Sequence, residues 1–550
     1  MDIATRRRHP SFVTLLGACL VVAGCATAAP HPSTAPAPAA TPQTSTTRPA
    51  PPATPTPSAR APATPAADLA RRIDNYISQD RFATASWGIS VVSLRSGDPI
   101  YGHQADKLAI PASNAKLYTA ALALSALGTG HRFRTTLYAT AAPRRGSIQG
   151  NLILYGRGDP TLGKGNDRQT PHAWAEDMAK TLARRGVRHV TGALVADDTY
   201  FSGPDIPLGW EARDLQSWFS PPVSALTVQG NMFALRVGPN RGLCCNVSTT
   251  PAMPGMDIVN LTQTDPNAGY ADLGIYRAPG SSRLQVYGAM RPTAKTRRFA
   301  LSAPDPARMA GELLHEALVR HGIKVDGGVR SLHWPHRNEQ LGAPGTVKIA
   351  EVRSPRLDDI VQHALKHSDN LYAQLLLLAA GVHMEAGGTC PDRNGAPRTT
   401  ADWSLCAMRD MLRKAGIGRD EADLEEGSGL SRKDLVTPLA TTKLLAWAAG
   451  QPFAATYHDA LPIAGHDGTL IRRMRNTAAA DNLHAKTGTL RHSYTLSGYV
   501  TAASGEKLAF SLMLDDYVRP TTSTGQRTGP SPQHDLDAIA TMLADYGGSP

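Results

Sequence analysis

The chain has 550 residues, 41% of them hydrophobic and 19% charged, and a formal net charge of +11. That length exceeds one ordinary domain, and that hydrophobic content excludes a chain disordered throughout. The positive balance favours contact with anionic surfaces or polymers, but no compact basic cluster interleaved with aromatics occurs, so no nucleic-acid partner is expected.

The first 25 residues read as an export signal. Arg6, Arg7 and Arg8 precede an apolar run at 12–23, shorter than the about 20 apolar residues of a membrane span. The run ends Val22-Ala23-Gly24-Cys25, which resembles a bacterial lipobox, so Cys25 is the expected lipidation site. Cleavage of an ordinary signal near Ala28 or Ala29 is the competing reading. Residues 26–67 are almost entirely Ala, Pro, Thr and Ser, a disordered and semi-stiff tether. The protein is therefore expected outside the cytoplasm, in the periplasm or cell envelope and held to a membrane by lipid. Export permits disulfides. Cys390 and Cys406 flank a Gly/Pro/Arg-rich loop and form the candidate pair, while Cys244 and Cys245 cannot be assigned from sequence.

Ordered structure is expected from about Asp68, with Leu69, Ile73, Tyr76 and Ile77 on one helical face. A strand follows at 87–94, a turn at Ser96-Gly97-Asp98-Pro99, and a short return strand. Pro111 precedes Ser113, and Leu117, Ala120, Ala121 and Leu124 continue an apolar face, which puts Ser113 at the start of a helix. Near the other end, 483–490, 495–503 and 507–514 read as three strands, followed by a helix at 536–546. Strands at both ends with helices between them suggest one sheet built from both ends, an α+β arrangement.

The interval from Ser113 to Ser368 is longer than one domain needs between two active-site elements. Residues 137–349 are therefore read as inserted domains, mainly β, splitting the main domain into parts at 68–136 and 350–550. The insertion carries short β-like runs such as 151–155. It also carries one clear helix, from Asp305-Pro306 to Gly322.

Three strings carry the chemistry: Ser113-Asn114-Ala115-Lys116, Ser368-Asp369-Asn370 and Lys486-Thr487-Gly488. On a helix, Ser113 and Lys116 share a face. A serine needs a base to become a nucleophile, and a lysine serves if burial or a neighbouring cation makes it neutral. Lys486 is the expected cation. Ser368-Asp369-Asn370 lies between two helical stretches, where all three residue types also suit a helix cap. Beside the other strings, Ser368 reads as a proton relay and Asn370 as a holder of Lys116 or of a substrate amide. Lys486 and Thr487 offer charge and a hydroxyl to a carboxylate, and Gly488 suits close approach of an extended peptide. A second S-x-x-K match at Ser504-Gly505-Glu506-Lys507 reads as a hairpin turn. Neither C-x-x-C nor H-E-x-x-H occurs, so no metal and no organic cofactor is expected.

The three strings, in this order, are the signature shared by penicillin-binding proteins and class A β-lactamases. With the long insertion, residues 68–548 resemble the D-Ala-D-Ala carboxypeptidase/endopeptidases of the DacB type, the low-molecular-mass class C penicillin-binding proteins. Further strings support this: 155–162 (Tyr155 to Leu162), 196–201 (Ala196 to Phe201), 426–432 (Glu426 to Arg432) and 467–470 (Asp467 to Leu470).

The resemblance implies a β-lactamase/transpeptidase-like domain, a sheet with flanking helices. It implies hydrolysis of peptidoglycan stem peptides through an acyl-enzyme on Ser113, with β-lactams as covalent inhibitors. Lys116 would be the base, and the backbone N–H groups of Ser113 and Thr489 the oxyanion hole. Asp197 would face the amine end of the stem peptide. Two residues depart from the family pattern: Glu426 stands where an aspartate is usual, and His367 where a lysine is expected.

Two alternatives remain at this level. A serine β-lactamase shares the strings, but no Glu-x-x-x-Asn occurs between Ser368 and Lys486, and rapid turnover of a chromogenic β-lactam would identify one. A non-catalytic cell-wall-binding lipoprotein would fail to be acylated by penicillin with Ser113 intact.

Overall fold

The computed structural model describes residues 64–164, 171–240, 244–269, 272–388, 390 and 398–547. The export signal, Cys25 and nearly all of the Ala/Pro-rich segment lie outside the described residues.

Two five-stranded sheets organise the described chain. Their strands are β1 (Ser86–Ser93), β2 (Pro99–His103), β3 (Arg134–Ala139), β4 (Leu152–Gly156), β5 (Leu194–Asp197), β6 (Val329–Leu332), β7 (Val347–Arg353), β8 (His484–Leu490), β9 (Ser493–Thr501) and β10 (Lys507–Asp515). The helices that bear on the site are α1 (Pro65–Ile77), α2 (Ala115–Leu127), α3 (Pro306–Arg320), α4 (Leu357–Lys366), α5 (Asn370–Gly387) and α6 (Pro532–Ala544).

The first sheet has the order β8-β9-β10-β1-β2 and is antiparallel throughout. β1 pairs with β10 along its whole length, from Ser86 opposite Asp515 to Ser93 opposite Leu508. Both ends of the chain thus build one sheet, as the sequence pattern implies. β10 is buried at every position but its first, because the sheet is covered on both faces. On one face Leu69, Ile73, Ile539 and Leu543 of α1 and α6 meet Phe510 and Leu512. On the other, the helix Pro438–Ala449 covers the sheet, with Tyr499 Oη donating to Leu445 O at 2.8 Å, and α2, α4 and α5 share the same hydrophobic cluster as Tyr499, Ala509 and Met513. α1 starts at Pro65, inside the stretch read as tether, because Thr64 caps it by accepting from the Ala67 N–H and proline suits the first turn. The tight turn at 502–506 joins β9 to β10, which disposes of the second S-x-x-K match.

α2 and α5 are the central helices. Every residue of α2 from Ala115 to Leu124 is buried, as is every residue of α5 from Leu371 to Gly381. Their sequences are apolar around the whole circumference, the mark of a helix with no solvent face. Each opens with a catalytic string, so the most deeply packed elements carry the chemistry.

The second sheet, β6-β5-β4-β3-β7, lies in the insertion; it is parallel from β6 to β4 and antiparallel from β4 to β7. Its outer strands reach Arg134 and Arg353, a few residues beyond 137–349 at each end. α3 starts as the sequence predicts, with Asp305 accepting from Arg308 N–H at 2.8 Å and Pro306 in the first turn. Three three-stranded sheets, two formed by strands between 232 and 302 and one by short strands at 147–148, 189–190 and 324–325, complete the insertion around a separate core. Cys390 and Cys406 are disulfide-bonded; Cys244 and Cys245 are unpaired. Among the described residues, no helix is long and apolar enough to cross a membrane.

Candidate active site

Ser113 sits in a single 3-10 turn, Ala112–Asn114, that runs directly into α2. The residue before it, Ala112, has φ +46°, a left-handed conformation that costs a non-glycine residue about 1–3 kcal/mol. The surroundings enforce it. Thr495 Oγ1 donates to Pro111 O at 2.9 Å and Asn114 Nδ2 donates to Ser497 Oγ at 2.6 Å, pinning the turn to β9. Gly429, at φ +78°, lies so close that a Cβ there would come within 1.8 Å of Ala112 O.

Lys116 is 1% exposed. Its Nζ donates to Ser113 Oγ at 3.0 Å, to Asn370 Oδ1 at 2.5 Å and to Ser428 O at 2.5 Å. Burial lowers its pKa to about 8, against the opposing charges of Glu426, Asp369 and Asp434. A substantial neutral fraction near neutrality is what a base for Ser113 needs. Glu426 acts one step back. Its buried carboxylate accepts from the backbone N–H groups of Ser428, Gly429 and Leu430 at 2.7, 2.5 and 2.8 Å, and so fixes the turn whose Ser428 carbonyl holds Lys116. The extra methylene relative to the family's usual aspartate leaves that role intact. Asp434 lies beside it; burial and then the charge of Glu426 raise its pKa well above the ordinary carboxylate value.

The Ser368-Asp369-Asn370 string divides its labour. Asp369 alone is the cap of α5, accepting from Tyr372 N–H at 3.2 Å. Burial opposes its charge, but hydrogen bonds from His363 and Lys164, and the Lys164 charge, hold its carboxyl well below the usual range. Ser368, at φ +56°, is thereby free to face the site. Asn370 is oriented from both sides: its Oδ1 accepts from Lys116, and its Nδ2 donates to Phe219 O of the insertion at 2.8 Å. His367 also faces the site, and burial followed by the charge of His363 depresses its pKa.

Lys486 is completely buried on β8, an edge strand. It donates to Ser368 Oγ and to Thr487 O, each at 2.8 Å. Burial, then the charge of Lys116, pushes its pKa well down. The two cations are neighbours, as expected, but they hold different hydroxyls. Lys116 bonds Ser113 directly, whereas Lys486 bonds Ser368, because its place on β8 sets it beside the loop between α4 and α5. Gly488 has a reason within the fold beside the one read in sequence. A Cβ there would meet Thr495 Oγ1 at 2.0 Å, Pro111 O at 2.8 Å and Ser113 N at 3.1 Å, so the space it leaves holds the nucleophile turn. Thr487 Oγ1 donates to Thr469 Oγ1 at 2.8 Å. The neighbouring Asp467 bonds Lys366 Nζ at 2.5 Å, which ties the 467–470 turn to the end of α4.

A cleft of about 630 Å³ opens over these groups, lined by Ser113, Ser368, Asn370 and Thr489 and, from the insertion, by Glu211, Asp214 and Trp218. Asp197 is not among its walls. It is fully buried at the end of β5, where its carboxylate accepts from Thr199 N and Oγ1 at 2.9 and 2.7 Å and from Asn338 Nδ2 at 2.7 Å. These bonds close the turn at Thr199 and tie it to Asn338, and the structure does not bring Asp197 together with the other predicted site residues. Sequence reading missed Ser428, whose carbonyl acts rather than its side chain, and Thr495 and Ser497, which look like ordinary strand residues. The glycines flanking Ser428 were the available signal.

The D-Ala-D-Ala carboxypeptidase 3 (S13) family matches residues 69–538. A D-alanyl-D-alanine carboxypeptidase of Actinomadura sp. (strain R39) is 35% identical over 513 residues, covering 88% of this chain and 85% of that relative. D-alanyl-D-alanine carboxypeptidase DacB of Haemophilus influenzae is 27% identical, covering 78% and 85%. The crystal structure of penicillin binding protein 4 (dacB) from Haemophilus influenzae superposes with a TM-score of 0.72 at 25% identity, over 86% of this chain and 99% of that one. The chain belongs to the D-Ala-D-Ala carboxypeptidase 3 (S13) family and is a serine hydrolase.

Proposed function

We propose that this serine D-Ala-D-Ala carboxypeptidase hydrolyses peptidoglycan stem peptides through an ester on Ser113, with each residue of the three strings in a distinct role. The observation that carries the scheme is Lys116 Nζ, held by Asn370 and Ser428 and placed 3.0 Å from Ser113 Oγ. Lys116 takes the Ser113 proton as Oγ attacks the carbonyl of the penultimate D-alanine. The oxyanion is met by the backbone N–H groups of Ser113 and Thr489, a pair supported by the contact of β8 with the Ser113 turn at Gly488. Each such donor contributes about 3–4 kcal/mol. Ser368, linked to Lys486, relays to the departing amine of the terminal D-alanine the proton that Lys116 took from Ser113, which leaves Lys116 neutral again. Water, deprotonated by Lys116, then releases the peptide. Thr487 and the charge on Lys486 receive the terminal carboxylate, which restores the Lys486 ammonium on binding. A β-lactam acylates the same oxygen and persists there.

Digestion of purified muropeptides by wild type and Ser113→Ala tests the scheme, with loss of terminal D-alanine and loss of cross-linked dimers scored separately. The variant should lose activity by on the order of 10⁶-fold and lose all covalent penicillin label. Label retained on Ser113→Ala would overturn the assignment. The two scores also divide carboxypeptidase from endopeptidase action.

The location rests on sequence: Arg6 to Arg8, the apolar run and Cys25 support a lipid anchor that keeps the enzyme at the membrane, facing peptidoglycan. Cys25→Ser should move it from the membrane fraction to the soluble one, and unchanged partition would count against the anchor.

A further inference from the structure

A cavity of about 820 Å³ lies apart from the catalytic cleft. It opens where α2 ends at Leu127 and α5 nears its end, facing β3 and β7 of the inserted sheet. Arg132, Arg134, Arg157, Lys348 and Arg353 line it, against a single carboxylate, Glu351. The two helix C-termini supply roughly half a negative charge each, so most of the positive excess stays uncompensated.

The cations are placed rather than scattered. Arg157 donates to Thr136 Oγ1 at 2.9 Å and to Tyr138 Oη at 3.0 Å, and lies 4.8 Å from the centre of the Tyr155 ring. Arg132 Nη1 donates to Ser354 O at 2.7 Å. These neutral partners fix the guanidinium groups without cancelling their charge. Glu351 is already shared by Lys348 and Arg353, at 3.2 and 3.0 Å. The Arg134 side chain makes no hydrogen bond or ion pair among the described residues, although its charge helps to hold the Glu351 carboxyl below its usual value.

A second observation is independent of the cavity. In the β3–β7 ladder Arg134 stands directly opposite Arg353. Opposed residues of an antiparallel pair project to the same side, and like charges there repel.

We propose that this cavity is a second ligand site, which takes an oxyanion carrying at least two negative charges. Arginine forks fit phosphate and carboxylate oxygens alike, and an anion between Arg134 and Arg353 relieves their repulsion. The site lies about 20 Å from Ser113, the length of α2 at 1.5 Å per residue. Its occupant therefore touches no reacting atom; it ties the far ends of the two catalytic helices to the insertion.

Calorimetric titration of the folded protein with pyrophosphate and with citrate, beside acetate at matched ionic strength, tests this. Pyrophosphate, citrate or both should bind saturably at one site where acetate does not; pyrophosphate alone marks a phosphate ligand, citrate alone a polycarboxylate. Arg134→Glu should weaken that binding at least 10-fold, with Lys348→Ala as the second variant. Arg432→Glu, in the catalytic cleft, should leave it unchanged. Binding no better than acetate, or lost equally in Arg134→Glu and Arg432→Glu, overturns the proposal.

Discussion

At the scale of single residues, two buried groups set the pH behaviour. Lys116 can act as base only when neutral, and its pKa of about 8 lies below that of an exposed lysine because burial disfavours its ammonium form. The rate constant for penicillin acylation should therefore climb with pH below that value, by about tenfold per unit, and level off above it. A flat profile between pH 5 and 8 would remove Lys116 from the role of base. Asp434 works on stability. Its folded pKa is raised, by burial and by Glu426, so above the unfolded value of about 3.9 the native state binds more protons than the unfolded one. Stability accordingly falls as pH rises through that window. In Asp434→Asn the contribution is gone, so the wild-type melting temperature should decline relative to the variant's from pH 4 to pH 8. A relative gain by wild type over that range would contradict the assignment.

At the scale of elements, the site is a meeting of three tight turns, at 112–114, at 367–369 and at 427–429. Two of them contain a non-glycine residue at positive φ, Ala112 and Ser368, and the third contains Gly429. The strain at Ala112 is held by close backbone contact, so the sensitive position is Gly429 rather than Ala112 itself. Gly429→Ala would force Cβ into Ala112 O and place an alanine at φ +78°. Stability should fall by about 1–3 kcal/mol and penicillin acylation by on the order of 10²-fold, the loss that follows a misplacement of about 1 Å. Chemical denaturation and acylation kinetics read the two effects separately. An unchanged acylation rate would show that the turn tolerates a shift.

At the scale of the whole molecule, the sheet drawn from both chain ends was legible because β1, β9 and β10 have strong apolar patterns and their turns carry Gly and Pro. The opening of the nucleophile helix was legible from Pro111 and the apolar positions after Ser113. The pairing of Lys486 with Ser368 was not, because it depends on how β8 sits against the loop between α4 and α5, a contact across 118 positions of sequence. The bonds of Asp197 to Thr199 and Asn338 were not legible for a related reason: an Asp-Asp-Thr string reads equally as ligand or as turn. The role of Glu426 was hidden because it acts on backbone N–H groups, which every sequence possesses.

The pairing of β1 with β10 also has a temporal meaning. A polypeptide emerging from the ribosome or an export channel delivers Ser113 early, yet the strand that completes the sheet beside β1 arrives some 400 positions later. The Thr495 and Ser497 clamps of the nucleophile turn arrive only just before it, with β9. A chain that ends before β10 leaves β1 without that partner, so competence for acylation should come only with the last strand. Chains cut before Lys507 should take up no labelled penicillin, a result readable from stalled or truncated products.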